Sequence, residues 1–150
     1  MILMKALLQR VSKAGVKING RSVAEIRKGM LVFLGVVKGD TENDLDYLVK
    51  KVAQLRIFED AERKMNLSVQ DIRGEVLVVS QFTLAASTRK GNRPSFDNAE
   101  TPEPARDLYE TFVQRLTETG ITVQAGVFAE SMAVSLVNDG PVTILIDSRE

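Results

Sequence analysis

The sequence predicts an α+β fold: a mixed, mostly antiparallel sheet, open or barrel-like, carrying two main helices in a single domain. Three observations lead there. Strand-type patterns outnumber helical ones along the chain. Two apolar stripes at helical spacing stand apart, with a strand pattern between them. Asn19-Gly20, the strongest short-range hairpin signal, sits between two further strand-type runs. Helices outnumbered and separated by strands belong to the α+β class.

Taken in order, residues 5–18 are rich in Val, Leu and Ala with partial alternation, and predict a strand. The return strand runs through Val23 and Ile26. Residues 30–37 predict a buried strand, ended by Lys38-Gly39-Asp40. Residues 41–57 predict a helix, with Thr41 as cap and Asp44 as its capping-box partner. Its stripe is Leu45, Leu48, Val49, Val52 and Leu55. Residues 75–84 predict a strand whose centre, 76–79, is buried on both faces. Residues 85–100 are polar and loop-like. Thr101-Pro102 opens a second helix, a cap followed by proline at the first helical position. Leu108, Phe112 and Leu116 form its stripe, with Tyr109 and Val113 beside it, and Gly120 ends it. Residues 128–137 alternate, with Met132, Val134 and Leu136 facing one way. Asp139-Gly140-Pro141 predicts a turn, and residues 142–146 the last strand.

Composition narrows the chemistry. At 150 residues and 44% apolar, the chain fits one domain with a sizeable core. Twenty basic residues balance twenty acidic ones, which argues against a protein that coats long stretches of nucleic acid. A small contact with one nucleic-acid end stays open. There is no Cys and no His, so disulfides, thiol chemistry and the usual triad base are excluded. The acidic residues Asp44, Asp46, Glu59, Asp60 and Glu62 show no metal-loop spacing, and no metal or cofactor is assigned. The longest apolar stretch, 30–34, or 30–37 with Gly35, is too short for a bilayer. The opening Met1-Ile2-Leu3-Met4-Lys5 reads as the mature start of a cytoplasmic protein, with Met4 an alternative start.

Two segments stand out chemically. In Ser80-Gln81-Phe82-Thr83-Leu84 a polar pair interrupts an apolar strand. Ordinary strand ends look like this, because Ser and Gln are common near loops. The same residues can also present hydroxyls, an amide and backbone N–H groups to a carbonyl or oxyanion. In Asn138-Asp139-Gly140-Pro141-Val142-Thr143 a proline, which cannot donate to a sheet ladder, lies between two strand patterns. Since about 5–6% of X-Pro bonds in folded proteins are cis, pattern alone predicts a trans turn proline. Pattern alone also makes Arg10 a solvent-facing strand residue and puts Phe128 and Met132 in the core. The loop Arg89-Lys90-Gly91-Asn92-Arg93 is either a solvated surface or a phosphate contact.

Together these segments resemble the bacterial D-aminoacyl-tRNA deacylase pattern. Gln9-Arg10-Val11, Gly35-Val36, Arg56-Ile57-Phe58 with Lys64-Met65-Asn66, and Arg93-Pro94-Ser95-Phe96 match it in order, so the resemblance spans nearly the whole chain. It implies a homodimer whose substrate is the aminoacylated 3′ end of tRNA. Ser80, Gln81, Phe82 and Thr83 would line the ester side. Gly140 and Pro141, joined by a cis bond, would enter the partner's site and reject L-amino acids, while D-amino acids and glycine fit. Arg10 would brace that dipeptide, and Phe128 and Met132 would hold the terminal adenine.

An aminoacyl ester is already activated, so orientation, backbone donors and the substrate's own 2′-hydroxyl can stand in for a histidine relay. Two other readings compete. One is a non-catalytic dimeric module that binds amino acids or nucleotides. The other is an esterase with Thr83 as nucleophile.

Overall fold

In chain order the elements are β1 (Lys5–Ile18), β2 (Arg21–Ile26), β3 (Gly29–Gly35), α1 (Glu42–Gln54), β4 (Phe58–Glu59), β5 (Met65–Leu67), β6 (Glu75–Ser80), a 3-10 turn (Phe82–Ala85), α2 (Pro102–Glu118), β7 (Thr122–Ala125) and β8 (Ala133–Asp147). The structure, a computed structural model, describes residues 4–149. The Met1-Ile2-Leu3 opening, read above as a mature start, lies outside them. No helix among the described residues is long and apolar enough to cross a membrane.

β1 organises the sheet. Positive φ at Asn19 (50°) and Gly20 (79°) turns it tightly into β2. β8 runs antiparallel along one edge, from Lys5↔Asp147 to Lys17↔Ala133. β3 and β2 share the other edge: β3 pairs with Lys5 through Val11, β2 with Ala14 through Ile18. β6 adds to β3 and β7 to β6, both parallel. The far end curls back, and the Glu25 N–H of β2 donates to Gln124 Oε1 of β7 at 2.8 Å. The result is the expected mostly antiparallel sheet, nearly closed and barrel-like, with two helices.

The centre of the sheet buries both faces because β3 and residues 76–79 of β6 are apolar. Ala6, Leu8, Met30, Val32, Val76 and Val78 face the helices, meeting Leu45, Leu48 and Val52 of α1 and Phe112 and Leu116 of α2. Val11, Leu31, Leu77 and Val79 face the other way and pack with Val16, Ile26 and Val134 inside the curl. The two helices lie against each other, and Arg115 of α2 pairs with Glu42 and Asp46 of α1.

The structure departs from expectation in several places. α1 stops at Gln54, because Leu55 turns extended (ψ 129°) and releases Ile57 and Phe58 into the core. β6 stops at Ser80, where the chain tightens into the 3-10 turn. The short strands β4, β5 and β7 were not expected. Residues 128–132 are not strand, and Asp139-Gly140-Pro141 does not reverse the chain. β8 runs straight through as one strand. Gln9 pairs with Thr143 and Val11 with Asn138, so the four residues 139–142 stand opposite Arg10 alone. The segment is a large bulge, since both its flanks are claimed by the same neighbour.

A charge cluster closes the helix side. Asp44 accepts from Thr41 N–H (2.8 Å), Ser148 Oγ (2.9 Å) and Arg149 Nε (3.1 Å), and the arginine holds its carboxyl down at about 2. Asp40 Oδ2 accepts from Val37 N–H at 2.6 Å, while its side chain is fully buried. Burial pushes the Asp40 carboxyl up to about 6, against the pull of that N–H and of Arg149. The folded state therefore holds this proton more tightly than the unfolded chain, whose reference value is 3.8. On account of Asp40, stability falls as pH rises from about 4 to about 6; on account of Asp44, it falls as pH drops below about 4. Asp40→Asn should gain about 2–3 kcal/mol relative to wild type between pH 4 and 7. Urea midpoints at several pH values test this; a difference that stays constant with pH would contradict it.

Candidate active site

The end of β6 forms one wall. Leu34 O still holds the Gln81 N–H at 2.8 Å, so the strand pairing reaches as far as the polar pair. The 3-10 turn then closes through Leu84 N–H to Gln81 O (3.2 Å) and Ala86 N–H to Thr83 O (3.1 Å). These bonds make no use of the Phe82 and Thr83 N–H groups, the first two of the turn. The Gln81 side-chain amide donates to Thr83 Oγ1.

The other wall follows β7. Gly126 N–H donates to Val78 O at 2.9 Å. The hydroxyl of buried Tyr109 lies 2.8 Å from Gly126 O and 3.1 Å from Val78 O, tying the ends of β6 and β7 to α2. Burial raises its pKa, so it is a fixed neutral donor. The chain then bends at Ala129 (φ 65°), and Phe128 packs between the Tyr109 ring (5.9 Å) and the Arg106 guanidinium (5.3 Å).

Between the walls lies a cleft of about 510 Å³. Ser80, Gln81 and Phe82 line one side and Phe128, Ala129 and Met132 the other, with Glu100 and Glu130 as its charged residues. Phe128 and Met132 are thus half-buried cleft residues rather than pure core. Thr83 is exposed and lies outside this lining, its Oγ1 bonded to the Gln81 amide. No group of His, Cys, Asp or Glu among the described residues is arranged to hold a metal ion.

Arg10, Gly140 and Pro141 form a second cluster outside that lining. Arg10 is not solvent-facing: it is 6% exposed. Its Nε donates to Asp139 O and its Nη1 to Ile57 O, both at 2.8 Å, and Nη2 lies 3.8 Å from Glu59 Oε1. The carbonyls that accept from it come from segments far away in sequence. Asn138 staples the bulge across its base, accepting from Val142 N–H (2.9 Å) and donating to Thr143 Oγ1 (2.8 Å). The Gly140-Pro141 bond is cis, against the trans expectation from pattern alone, and Gly140 has φ 135°. Both residues are exposed.

The sequence profile of the family described as D-Tyr-tRNA(Tyr) deacylase matches residues 7–147. The chain belongs to that family. The match runs from β1 into the end of β8, so cleft and bulge both lie within the deacylase-family region. A protein of Persephonella marina named D-aminoacyl-tRNA deacylase is 60% identical over 146 residues, spanning 97% of this chain and 99% of its own. One of the same name from Aquifex aeolicus is 54% identical over 147 residues, spanning 98% and 99%. Among solved structures, the c-Myc DNA Unwinding Element Binding Protein superposes with a TM-score of 0.89 at 40% identity, over 95% of this chain and 97% of that one. A probable eukaryotic D-amino acid tRNA deacylase shares the fold at 18% identity, TM-score 0.77, over 97% and 100% of the two chains.

Sequence reasoning passed over two residues of this deacylase-family site. Tyr109 looked like one more apolar position beside a helical stripe. Asn138 carries no role in the sequence pattern, although Asn beside Asp-Gly is a standard side-chain-to-backbone capping signal.

Proposed function

We propose that this protein hydrolyses the ester of D-aminoacyl-tRNA, releasing the D-amino acid and free tRNA, in the cytoplasm and without a metal. Glycyl-tRNA, which has no side chain to reject, is a second substrate. The observation that carries the reading is the cleft: in a chain of the deacylase family, the end of β6 faces Phe128 and Met132 across a space of about 510 Å³.

The terminal adenine sits against Phe128 and Met132. The ester carbonyl meets the β6 end, where the Phe82 and Thr83 N–H groups are available to a developing oxyanion. With no imidazole in the chain, the 2′-hydroxyl of the terminal ribose assists the attack. Gly140 and Pro141 are exposed and do not line their own protomer's cleft, which fits a role in the partner's cleft. There the dipeptide collides with an L side chain, so chirality is read by exclusion. Arg10 braces it through Asp139 O. Dimerisation also covers exposed Val137 and Leu145 on β8. Sedimentation at micromolar concentration should give about twice 16.6 kDa; an active monomer would rule out the cross-subunit role.

Timed release of D- and L-tyrosine from charged tRNA by purified protein tests the whole reading. Release of the D form alone is expected. Equal release of both, or of neither, defeats it.

Thr83 Oγ1 accepts from the Gln81 amide, and no carboxylate or amine hydrogen-bonds to it among the described residues. A threonine hydroxyl without a base is a weak nucleophile. Thr83→Ala should therefore retain measurable turnover, with any loss within roughly 10²–10³, the cost of one preorganised donor. A larger loss, together with an acyl-enzyme trapped on wild-type Thr83, would restore the nucleophile reading.

A further inference from the structure

Beside the cleft, a short loop leaves the body and returns. Ser87 and Ser95 bridge, each N–H donating to the other's carbonyl at 2.8 Å. Residues 88–94 between them are all exposed. They include Arg89, Lys90 and Arg93 and no acidic residue. The ion pairs found among the described residues involve none of these three cations. In a chain of net charge zero, this is a local cluster of positive charge with no ion-paired carboxylate among the described residues.

Phe96 follows the bridge directly. Its ring meets Phe82 edge-on, with centroids 5.1 Å apart and planes at 70°. Both rings are open to solvent, 56% for Phe82 and 38% for Phe96. Phe82 also lines the cleft. The aromatic pair therefore connects the cleft to the base of the basic loop. Exposed rings beside unpaired cations are the combination that holds single-stranded nucleic acid: bases stack and phosphates are neutralised.

We propose that Phe82 and Phe96 stack a base next to the terminal nucleotide, and that Arg89, Lys90 and Arg93 hold the phosphates of the single-stranded RNA end leading to it. The proposal rests on the deacylase reading of the cleft. It also fits the neutral net charge, because a few phosphates at one end need only one local patch.

The test compares two esters, D-tyrosyl-tRNA and the D-tyrosyl ester of adenosine, which has no phosphate. The triple variant Arg89→Ala, Lys90→Ala, Arg93→Ala should raise KM for the tRNA about tenfold or more with kcat kept, and leave the adenosine ester unchanged. The slope of log KM against log salt should fall by about two, at roughly 0.7 for each phosphate on a single strand. Phe96→Ala should raise KM for the tRNA roughly tenfold, and Phe96→Tyr should restore it. Wild-type KM and salt slope in the triple variant would leave the loop to a protein partner and overturn the proposal. Equal losses on both esters would overturn it too, as damage to the cleft. A wild type that hydrolyses neither ester would instead defeat the deacylase reading itself.

Discussion

Gly140→Ala is expected to give a folded protein that releases D-tyrosine from charged tRNA at least about 100-fold more slowly. A Cβ at this position would lie 2.8 Å from Arg10 Nη2, 2.9 Å from Val142 Cγ2 and 3.2 Å from Val142 N. The backbone adds to the conflict, because φ of 135° is a conformation that glycine alone adopts readily. Arg10 cannot simply swing aside. Its other nitrogens are committed to Asp139 O and Ile57 O, and the side chain is buried. The bulge itself must then shift against its brace, and a misplacement of about 1 Å in a positioning element can cost on the order of 10² in rate. The fold should survive, since the bulge is exposed and β8 stays paired with β1 on both sides of it. Melting curves and kcat/KM on D-tyrosyl-tRNA separate the two effects. A folded variant at wild-type rate would remove Gly140 from the selection of D substrates.

Gly29→Ala should fail at an earlier stage, in the fold itself. A Cβ there would lie 1.7 Å from Glu75 O and 2.7 Å from both the C and N of Glu75. These are backbone atoms of the neighbouring strand, so no rotamer change relieves the contact. Gly29↔Glu75 is the first pair of the parallel β3–β6 ladder, and Glu75 N–H donates to Lys28 O at 3.1 Å just before it. Relief requires parting two strands that carry core side chains on both faces. We expect a loss above about 4 kcal/mol, the range reached only by severe core or backbone conflicts, out of a typical total of about 5–15. A urea midpoint equal to that of wild type would show that the strands can separate there cheaply.

How much of this was legible in the sequence depended on range. Asn19-Gly20, Thr101-Pro102 and the stripe of α1 are local signals, and each element they announce is present. β3 and β6 were legible as apolar runs buried on both faces. β4, β5 and β7 span two to four residues, too few for a period to show. Asp139-Gly140-Pro141 carries a local turn signal. Whether the chain reverses or bulges there is decided by β1, which pairs with both flanks from the opposite end of the chain. Arg10 fails for the same reason: a charge in an alternating strand reads as exposed until the Ile57 and Asp139 carbonyls come within reach. For the candidate site, the resemblance singled out Ser80, Gln81, Phe82, Phe128 and Met132, and the fold gathers these five into one cleft. It leaves Thr83 exposed and outside the lining and sets Arg10, Gly140 and Pro141 apart. Periodicity could not have joined segments 80–82 and 128–132, because what brings them together is tertiary: the parallel pairing of β6 with β7, tied to α2 by the hydroxyl of Tyr109, an apolar-looking position on a helix.

The pairing of β1 with β8 also bears on how the protein comes to exist during synthesis. Gln9 and Thr143 touch although 134 residues separate them. At about 5–20 residues per second, β1 waits on the order of ten seconds for β8, the strand that covers its free edge. Until then Leu7 and Leu8 lie along an unpaired edge, the kind of template that recruits other chains. Contacts this distant also slow the search for the native pairing. The emerging chain is thus most open to association in the interval between the synthesis of β1 and that of β8.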